Sequence, residues 1–485
     1  MLFSTSAPPT DTAKTVADRI AFGGALLFAA FFLATSIYIS THRLFWFDEV
    51  FTTLTTRMPD WHTIWRALTE DNSDPSAFGF FIVARIFDQI FGPSELGIRL
   101  PSTLAMIAGM FITYDCARRL TNNLHGLIAM TVLTCSYLTY YGYEGRSYAL
   151  FFMFASAALW AWIGRRSPVL LAVIFASGVL VHYYLILCLV PFALEEACDW
   201  RPWRLPSARL VSAASGALLG LALLSPQILR STQVHGTAWW AAPVGRQVPS
   251  VFNEIFPPGL FLLAMAIVWI SFADSHATAT SAPISSAERT AWFSVLIPIA
   301  GYVIAKLVTH AFLNRYFIGM LPGVAVGFSC LVWRRYGDNL RVSVGILLLL
   351  GGYSVTMQTL TARHPEKIEA FGSAQERTKG MLDLEAELAA HGARYIVLDV
   401  YDLRFLEARY YTKHPERYVV WWSLTGALPH TPYYPFQRWL PSDVLQHAHE
   451  ALFVDLQPER VADLQRFGLQ TSVYKSGPLF VTIVK

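Results

Sequence analysis

Apolar runs of membrane-spanning length recur along this chain from about residue 20 to residue 360, and then stop. They fall at about 20–40, 100–116, 124–142, 147–163, 168–181, 183–197, 207–226, 259–273, 291–308, 316–332 and 342–360. The fifth and sixth also read as one long span interrupted at His182. A bilayer core of roughly 30 Å takes about 20 residues of helix, so the shorter runs have soft boundaries. The pattern predicts an all-α polytopic membrane domain of about 11 transmembrane helices over residues 1–360. From 361 to 485 the pattern changes. ERTKGMLDLEAELAAHG is amphipathic with a glycine stop, RYIVLDV and YVVWW are rich in β-formers, VADLQRFG is helical, and PLFVTIVK reads as a closing strand. That alternation predicts a small α/β domain of about 110 residues. It contains no glycine-rich phosphate loop, so no chemistry of its own is assigned to it.

Arginines orient the layout. With Lys14 and Arg19 in the cytoplasm, the even-numbered connections carry Arg118–Arg119, Arg165–Arg166, the trio Arg201, Arg204 and Arg209, then Arg289, then Arg334, Arg335 and Arg341. Nearly every tight cluster thus lands inside, as the positive-inside bias requires. Eleven spans leave the C-terminal domain on the extracytoplasmic side. No small-residue cleavage site follows the first run, which therefore reads as a true span rather than a signal peptide. The loop over 41–99 is external and holds two helical patterns, WHTIWRALTE and FGFFIVARIFDQIF. The second is too short to span comfortably and is predicted to lie at the interface. A spanning reading of it would invert every later loop and put the arginine clusters outside.

Composition agrees with a chain dissolved mostly in lipid. Hydrophobic residues make up 54% and charged residues only 15%, against about 25% charged in soluble proteins. Disorder, collagen and a disulfide-stapled module are excluded, and a net charge of +3 with no basic stripe gives no reason to expect a nucleic-acid partner. The five cysteines, Cys116, Cys135, Cys188, Cys198 and Cys330, show no ligand spacing and read as small buried hydrophobes.

Polar groups at a membrane boundary are costly and mark candidate sites. Four such places share the external face. Asp48-Glu49 in LFWFDEVFTT is a pair of carboxylates suited to general-base work or a divalent ion, or a plain helix cap. Glu144-Gly-Arg146 in YYGYEGRSYAL, among Tyr140, Tyr141, Tyr143 and Tyr148, suits a sugar phosphate, or is a self-neutralising pair in an aromatic belt. His182 precedes Tyr183 and Tyr184, as a ligand or as a structural hydrogen-bonding residue. Lys306, His310 and Asn314-Arg315-Tyr316 form a cationic group against the positive-inside trend, suited to binding an anion, or are interfacial anchors that snorkel. Asp71, Asp74 and Trp239-Trp240 complete the external inventory. The spans are poor in acids and show no internal repeat, which disfavours a transporter. The layout suits an enzyme acting at the external surface on an amphiphile with an anionic head.

The sequence resembles the GT-C glycosyltransferases, specifically the protein O-mannosyltransferase and aminoarabinose (lipid A) transferase group, family 39 and its bacterial relatives. The resemblance rests on five motifs in order over roughly residues 40–325: WFDEVFTT, the stretch from DNSDPSAF to ELGIRLPSTL, YGYEGRSYAL, HYY and RYFIGMLPG. It implies a GT-C fold and transfer of a sugar from a polyprenyl-phosphate donor, with inversion, to a protein, lipid or glycan acceptor outside the membrane. On that resemblance Asp48 is the general base that deprotonates the acceptor hydroxyl or a carboxylate that positions it, and Glu49 and Glu144 support the acceptor or a divalent ion. Arg146 and Arg315, with Arg57 and Lys306, stabilise the leaving phosphate, and His182, Tyr183 and Tyr316 line its surroundings. A metal site drawn from Asp48, Glu144 and His182 is open, and no other cofactor is implied. One departure stands out: the family's His or Lys before a proline pair is replaced by Asp74-Pro75-Ser76. The external α/β tail matches the bacterial branch, which implies the cell inner membrane. Two rivals remain at this level, a polymerase or ligase of envelope polysaccharide and a lipid-linked sugar translocase without bond chemistry.

Overall fold

The computed structural model describes residues 11–70, 74–198, 205–235, 242–273, 283–337, 339–365, 372–399, 404–421 and 437–485. Asp71, Arg201, Arg204 and Trp239-Trp240 lie outside the described residues. The chain forms two compact units, Met1–Ser40 with Pro75–Arg363 and Thr41–Asp74 with His364–Lys485.

The first unit is helical and the protein is a multi-pass membrane protein. Among the described residues six helices are long and apolar enough to cross a bilayer: Val16–His42, Glu95–Leu120, Ala208–Gln233, Ser286–Thr309, Asn314–Tyr336 and Leu340–Arg363. Counting two bent pairs as spans raises the number to 8; Tyr137–Tyr143 turns 112° into Tyr148–Ile163, and Gln247–Ile255 turns 92° into Pro258–Trp269. The sequence pattern predicts about 11, and the difference has a geometric cause. Apolar character persists where the helix does not. The 124–142 run stops as helix at Thr134 and continues as a 3-10 turn over Tyr137–Tyr143. Helix Pro168–Val181 has 14 residues, a rise of about 21 Å that falls short of the bilayer core. It ends at His182, where Tyr183–Cys188 is 3-10 before helix resumes at Leu189–Cys198. FGFFIVARIFDQIF is the helix Phe78–Phe91, closed by Gly92 at φ 83°. Four of the cysteines are buried; Cys198, at the end of its helix, is exposed instead.

Close helix contact in this unit depends on small residues. Helix Ala208–His235 lies on Pro168–Val181 through Gly216 and Gly220, four apart and so on one face. A Cβ at Gly216 would stand 2.1 Å from the Ala172 carbonyl oxygen, and one at Gly220 would stand 2.8 Å from Val179 Cβ.

The second unit is an α/β body. Its six strands are β1 (Tyr395–Asp399), β2 (Tyr418–Trp421), β3 (Gln437–Trp439), β4 (Ala451–Val454), β5 (Thr471–Ser476) and β6 (Leu479–Val484), in the order β3-β2-β1-β4-β6-β5. The first four run parallel, with Val397 opposite Val419 and Phe453. Being covered on both faces, β1, β2 and β4 are near-continuous apolar runs. The β5–β6 hairpin is antiparallel, and its turn holds Gly477 at φ 54°. Val397, Val419, Trp421, Phe453 and Leu464 centre the core. Residues 41–74 belong to this unit and bring the helices Phe47–Thr56 and Trp61–Glu70.

Gly216→Leu is expected to lower the unfolding free energy of the micelle-solubilised chain by about 1–3 kcal/mol, the usual range for overpacking. Gly352→Ala, where a Cβ meets open space, should not lower it. Equal denaturation midpoints for the two variants would refute close packing at Gly216.

Candidate active site

The cluster in the first unit is built at breaks between helices. The 3-10 turn Tyr137–Tyr143 leads into Glu144-Gly-Arg146, and the next helix starts at Tyr148. A loop here exposes backbone carbonyls to an apolar interior, and helix Glu95–Leu120 satisfies two of them. Thr103 donates its hydroxyl to the Gly142 carbonyl at 2.6 Å, and Ser102 donates to that of Arg146 at 3.0 Å. The Arg146 amide in turn donates to the Glu144 carbonyl at 2.8 Å. Glu144 and Arg146 are both buried. Ser102 and Thr103, in the RLPST segment, are site-building residues to which the sequence pattern assigned no role.

His182 enters from the next break. Its ring stacks on Phe151 at 4.7 Å and lies 5.3 Å from Tyr148, 5.4 Å from Tyr183 and 6.0 Å from Tyr316. Nδ1 accepts the Tyr184 backbone N–H at 3.3 Å, which leaves the proton on Nε2 in the neutral ring. Burial, with the positive charges of Arg146 and Arg315, pushes the His182 pKa down to about 3. The imidazole is therefore held neutral at physiological pH, within electrostatic reach of two guanidinium groups.

Arg315 comes from the third break, where the π-turn Ala305–Thr309 gives way to the 3-10 turn Asn314–Met320. Its guanidinium carbon stands 5.7 Å from the Tyr148 ring centre. Asn314 receives the Arg315 amide at 2.7 Å and donates to Glu254 at 2.8 Å. Tyr316 is buried and stacks on Tyr184 at 4.4 Å, and the Tyr184 hydroxyl donates to the Ala311 carbonyl at 2.9 Å. Glu144, Arg146, His182, Tyr183, Arg315 and Tyr316 thus belong to one unit, and Tyr148 with His182 links their aromatic neighbours. Lys306 is exposed, with its ammonium 6.0 Å from the Tyr302 ring.

Beside Tyr183 and Tyr184 opens a cavity of about 490 Å³, walled mainly by apolar residues such as Leu221, Leu224, Ile304 and Val308. A second cavity, of about 510 Å³, lies at the other end of helix Tyr148–Ile163, against Trp162 and Arg209. The carboxylates there are engaged, Glu195 by Ser286 at 2.5 Å and Glu196 by the Ser207 amide at 3.1 Å. The first cavity is lined by Tyr183 and Tyr184, the residues that follow His182 in the chain.

Asp48, Glu49, Arg57 and Asp74 lie in the second unit. Neighbouring positions on a helix point to different faces, so the two carboxylates part. Glu49 is buried, pairs with Arg43 at 3.2 Å and accepts the Trp46 amide at 3.4 Å, as a cap of helix Phe47–Thr56. Asp48 is half-buried in the first turn, near the positive end of the helix dipole. Arg57 closes the helix and donates to the Tyr410 hydroxyl at 2.7 Å. Asp74, the departure at the proline, is buried and accepts from Thr52 at 3.3 Å. Among the described residues no group of three or more His, Cys, Asp and Glu side chains is placed to hold a metal ion.

Residues 74–229 match the family model described as dolichyl-phosphate-mannose-protein mannosyltransferase. The structure is similar to that of ArnT from Cupriavidus metallidurans bound to undecaprenyl phosphate, with 14% identity and a TM-score of 0.58 over 95% of this chain and 98% of that one. The same enzyme in the apo state matches with 16% identity and a TM-score of 0.57, over 96% and 98%. No curated protein matches by sequence. At these identities the likeness is one of fold, and it bears out the GT-C architecture with a C-terminal α/β unit that the motifs imply.

The depressed His182 pKa has a sign that can be measured. An unfolded histidine binds its proton near pH 6.5, whereas folded His182 does so near 3. Its contribution to stability is therefore full above about pH 6.5 and is lost as pH falls toward 3, by at most about 1.4 kcal/mol per pH unit. His182→Gln should lose that slope, so the difference in unfolding free energy between wild type and variant should shrink as pH falls below about 6.5. Parallel unfolding free energies for the two proteins from pH 7 to pH 4 would show that the ring is not held neutral.

Proposed function

We propose that this chain, a membrane protein of GT-C fold, is a glycosyltransferase that takes its sugar from a polyprenyl-phosphate donor. The acceptor is a hydroxyl or phosphate on the extracytoplasmic face. The observation that carries the reading is the pairing of a cationic cluster with an apolar cavity. The charges of Arg146 and Arg315 bear on a neutral His182, and Tyr183 and Tyr184 of the same segment line a cavity of about 490 Å³. Guanidinium groups hold phosphate by charge-assisted hydrogen bonds, and apolar walls take up a hydrocarbon chain. An amphiphile with an anionic head meets both needs.

The roles follow from the chemistry of transfer. The acceptor oxygen attacks the anomeric carbon from the side opposite the phosphate, the carbon–oxygen bond to phosphate breaks, and configuration inverts. Asp48 takes the acceptor proton as general base. Negative charge that develops on the departing phosphate falls to Arg146 and Arg315, with the Nε2–H of His182 as a neutral donor. Tyr148 fixes the Arg315 guanidinium by cation–π contact. Glu49, engaged with Arg43 and the Trp46 amide, sets the start of the helix on which Asp48 rides. A cytoplasmic N-terminus and an extracytoplasmic α/β unit are part of this proposal, and the positive-inside bias of the arginine clusters favours them.

Release of free polyprenyl phosphate tests the proposal. Purified protein in vesicles, given a panel of radiolabelled polyprenyl-phosphate hexoses and pentoses with envelope lipid or glycan as acceptor, should release it from one donor. Asp48→Asn should slow release by about 10²–10⁴-fold at unchanged donor binding. Arg315→Ala should slow it by about 10²-fold or more. Donor that binds or crosses the bilayer without release by wild type would overturn the transferase reading and leave a translocase.

A further inference from the structure

Within the second unit, the helix that carries Asp48 is held at both ends by one helix from the far end of the chain. At its start the Phe45 backbone N–H donates to the Tyr411 hydroxyl at 2.6 Å, and the Phe45 ring meets the Tyr410 ring edge-on at 5.6 Å. At its end Arg57 donates Nη1–H to the Tyr410 hydroxyl at 2.7 Å. Both tyrosines close the helix Arg404–Tyr411. That helix is anchored in the α/β body: Phe405, Leu406 and Ala408 are buried, and buried Glu407 accepts the Thr378 hydroxyl at 2.5 Å. Helix Phe47–Thr56 has ten residues, too few to be stable alone in water, where about 12–15 are marginal. Its position therefore depends on what clamps it.

We infer that Tyr410 and Tyr411 are positioning residues for the transfer step. Through Arg57 and the Phe45 amide they fix the helix that presents Asp48, so the C-terminal α/β fold serves the reaction by holding the base in place. Arg57 is on this account a tether, in place of the phosphate contact its motif implies. The inference rests on the general-base role given to Asp48 above.

The test uses the full chain in vesicles or micelles. Tyr410→Phe and Tyr411→Phe keep the rings and remove only the hydroxyls. Each should lower kcat by about tenfold or more, the effect of a lost charge-assisted or buried hydrogen bond, with the donor KM unchanged. Amide exchange across residues 45–57 should quicken by a similar factor, while exchange in strand β1 stays as in wild type. Arg57→Gln should behave as Tyr410→Phe does, and the double variant should be no worse than either single one, because all three break the same bond. Unchanged exchange and kcat in both tyrosine variants would overturn the inference. So would a raised donor KM in Arg57→Gln that adds in full to the Tyr410→Phe effect, which would assign Arg57 to the donor. A wild type that releases no polyprenyl phosphate would instead sink the transferase reading, and the exchange result would then decide alone whether the tyrosines hold the helix.

Discussion

A helix that breaks inside an apolar body leaves backbone N–H and C=O groups with no water to turn to, so each break must be closed by protein. That constraint organises the first unit. Its breaks fall after Thr134, at His182 and over Ala305–Met320, and each is closed by a named polar group. Thr103 and Ser102 cover the Gly142 and Arg146 carbonyls, the His182 ring takes the Tyr184 amide, and the Tyr184 hydroxyl covers the Ala311 carbonyl. The same breaks carry Arg146, His182 and Arg315. Where regular helix stops, side chains of the following residues turn toward a shared interior, so the places that are costly for the backbone are also where polar chemistry is available.

Charge in that interior has a definite sign. Arg146 and Arg315 both bear on His182, and together with burial they hold the ring neutral. A neutral ring adds a donor without adding a third positive charge. Aromatic rings supply the rest of the wall, with Tyr148, Phe151, Tyr183 and Tyr316 all around His182. Such rings accept cations on their faces and tolerate an apolar neighbour, which suits a boundary between a phosphate and a hydrocarbon chain.

The second unit solves a different problem. A ten-residue helix is unstable alone even with two acids at its start, and Glu49 is drawn inward to Arg43 as a cap while Asp48 stays half-buried. The far end of the chain completes the arrangement, with the helix Arg404–Tyr411 rooted beside a mostly parallel sheet. Segment 41–74 is thus continuous in packing with residues 364–485, although more than 280 residues separate them in the chain.

Much of this was legible in the sequence for a simple physical reason. Apolar periodicity and a deficit of charge report which residues leave water, and they identified the membrane body and the α/β tail, while polar residues at the ends of the runs singled out Asp48, Arg146, His182 and Arg315 as candidates. Local pattern also located β1, β2 and β6 and the glycine stop at Gly392, since strand alternation and left-handed caps are short-range properties. It marks more apolar runs than there are long helices among the described residues, because hydropathy continues through Tyr137–Tyr143 and Tyr183–Cys188, where the helix itself has ended. Only the tertiary structure decided which partner each polar group meets. Nothing in LFWFDEVFTT shows that Glu49 turns to Arg43, and nothing near Arg57 points to Tyr410, 353 residues away. Sequence pattern records the demand of a group for burial or for a partner; the partner is chosen by packing among elements that the chain brings together only when it folds.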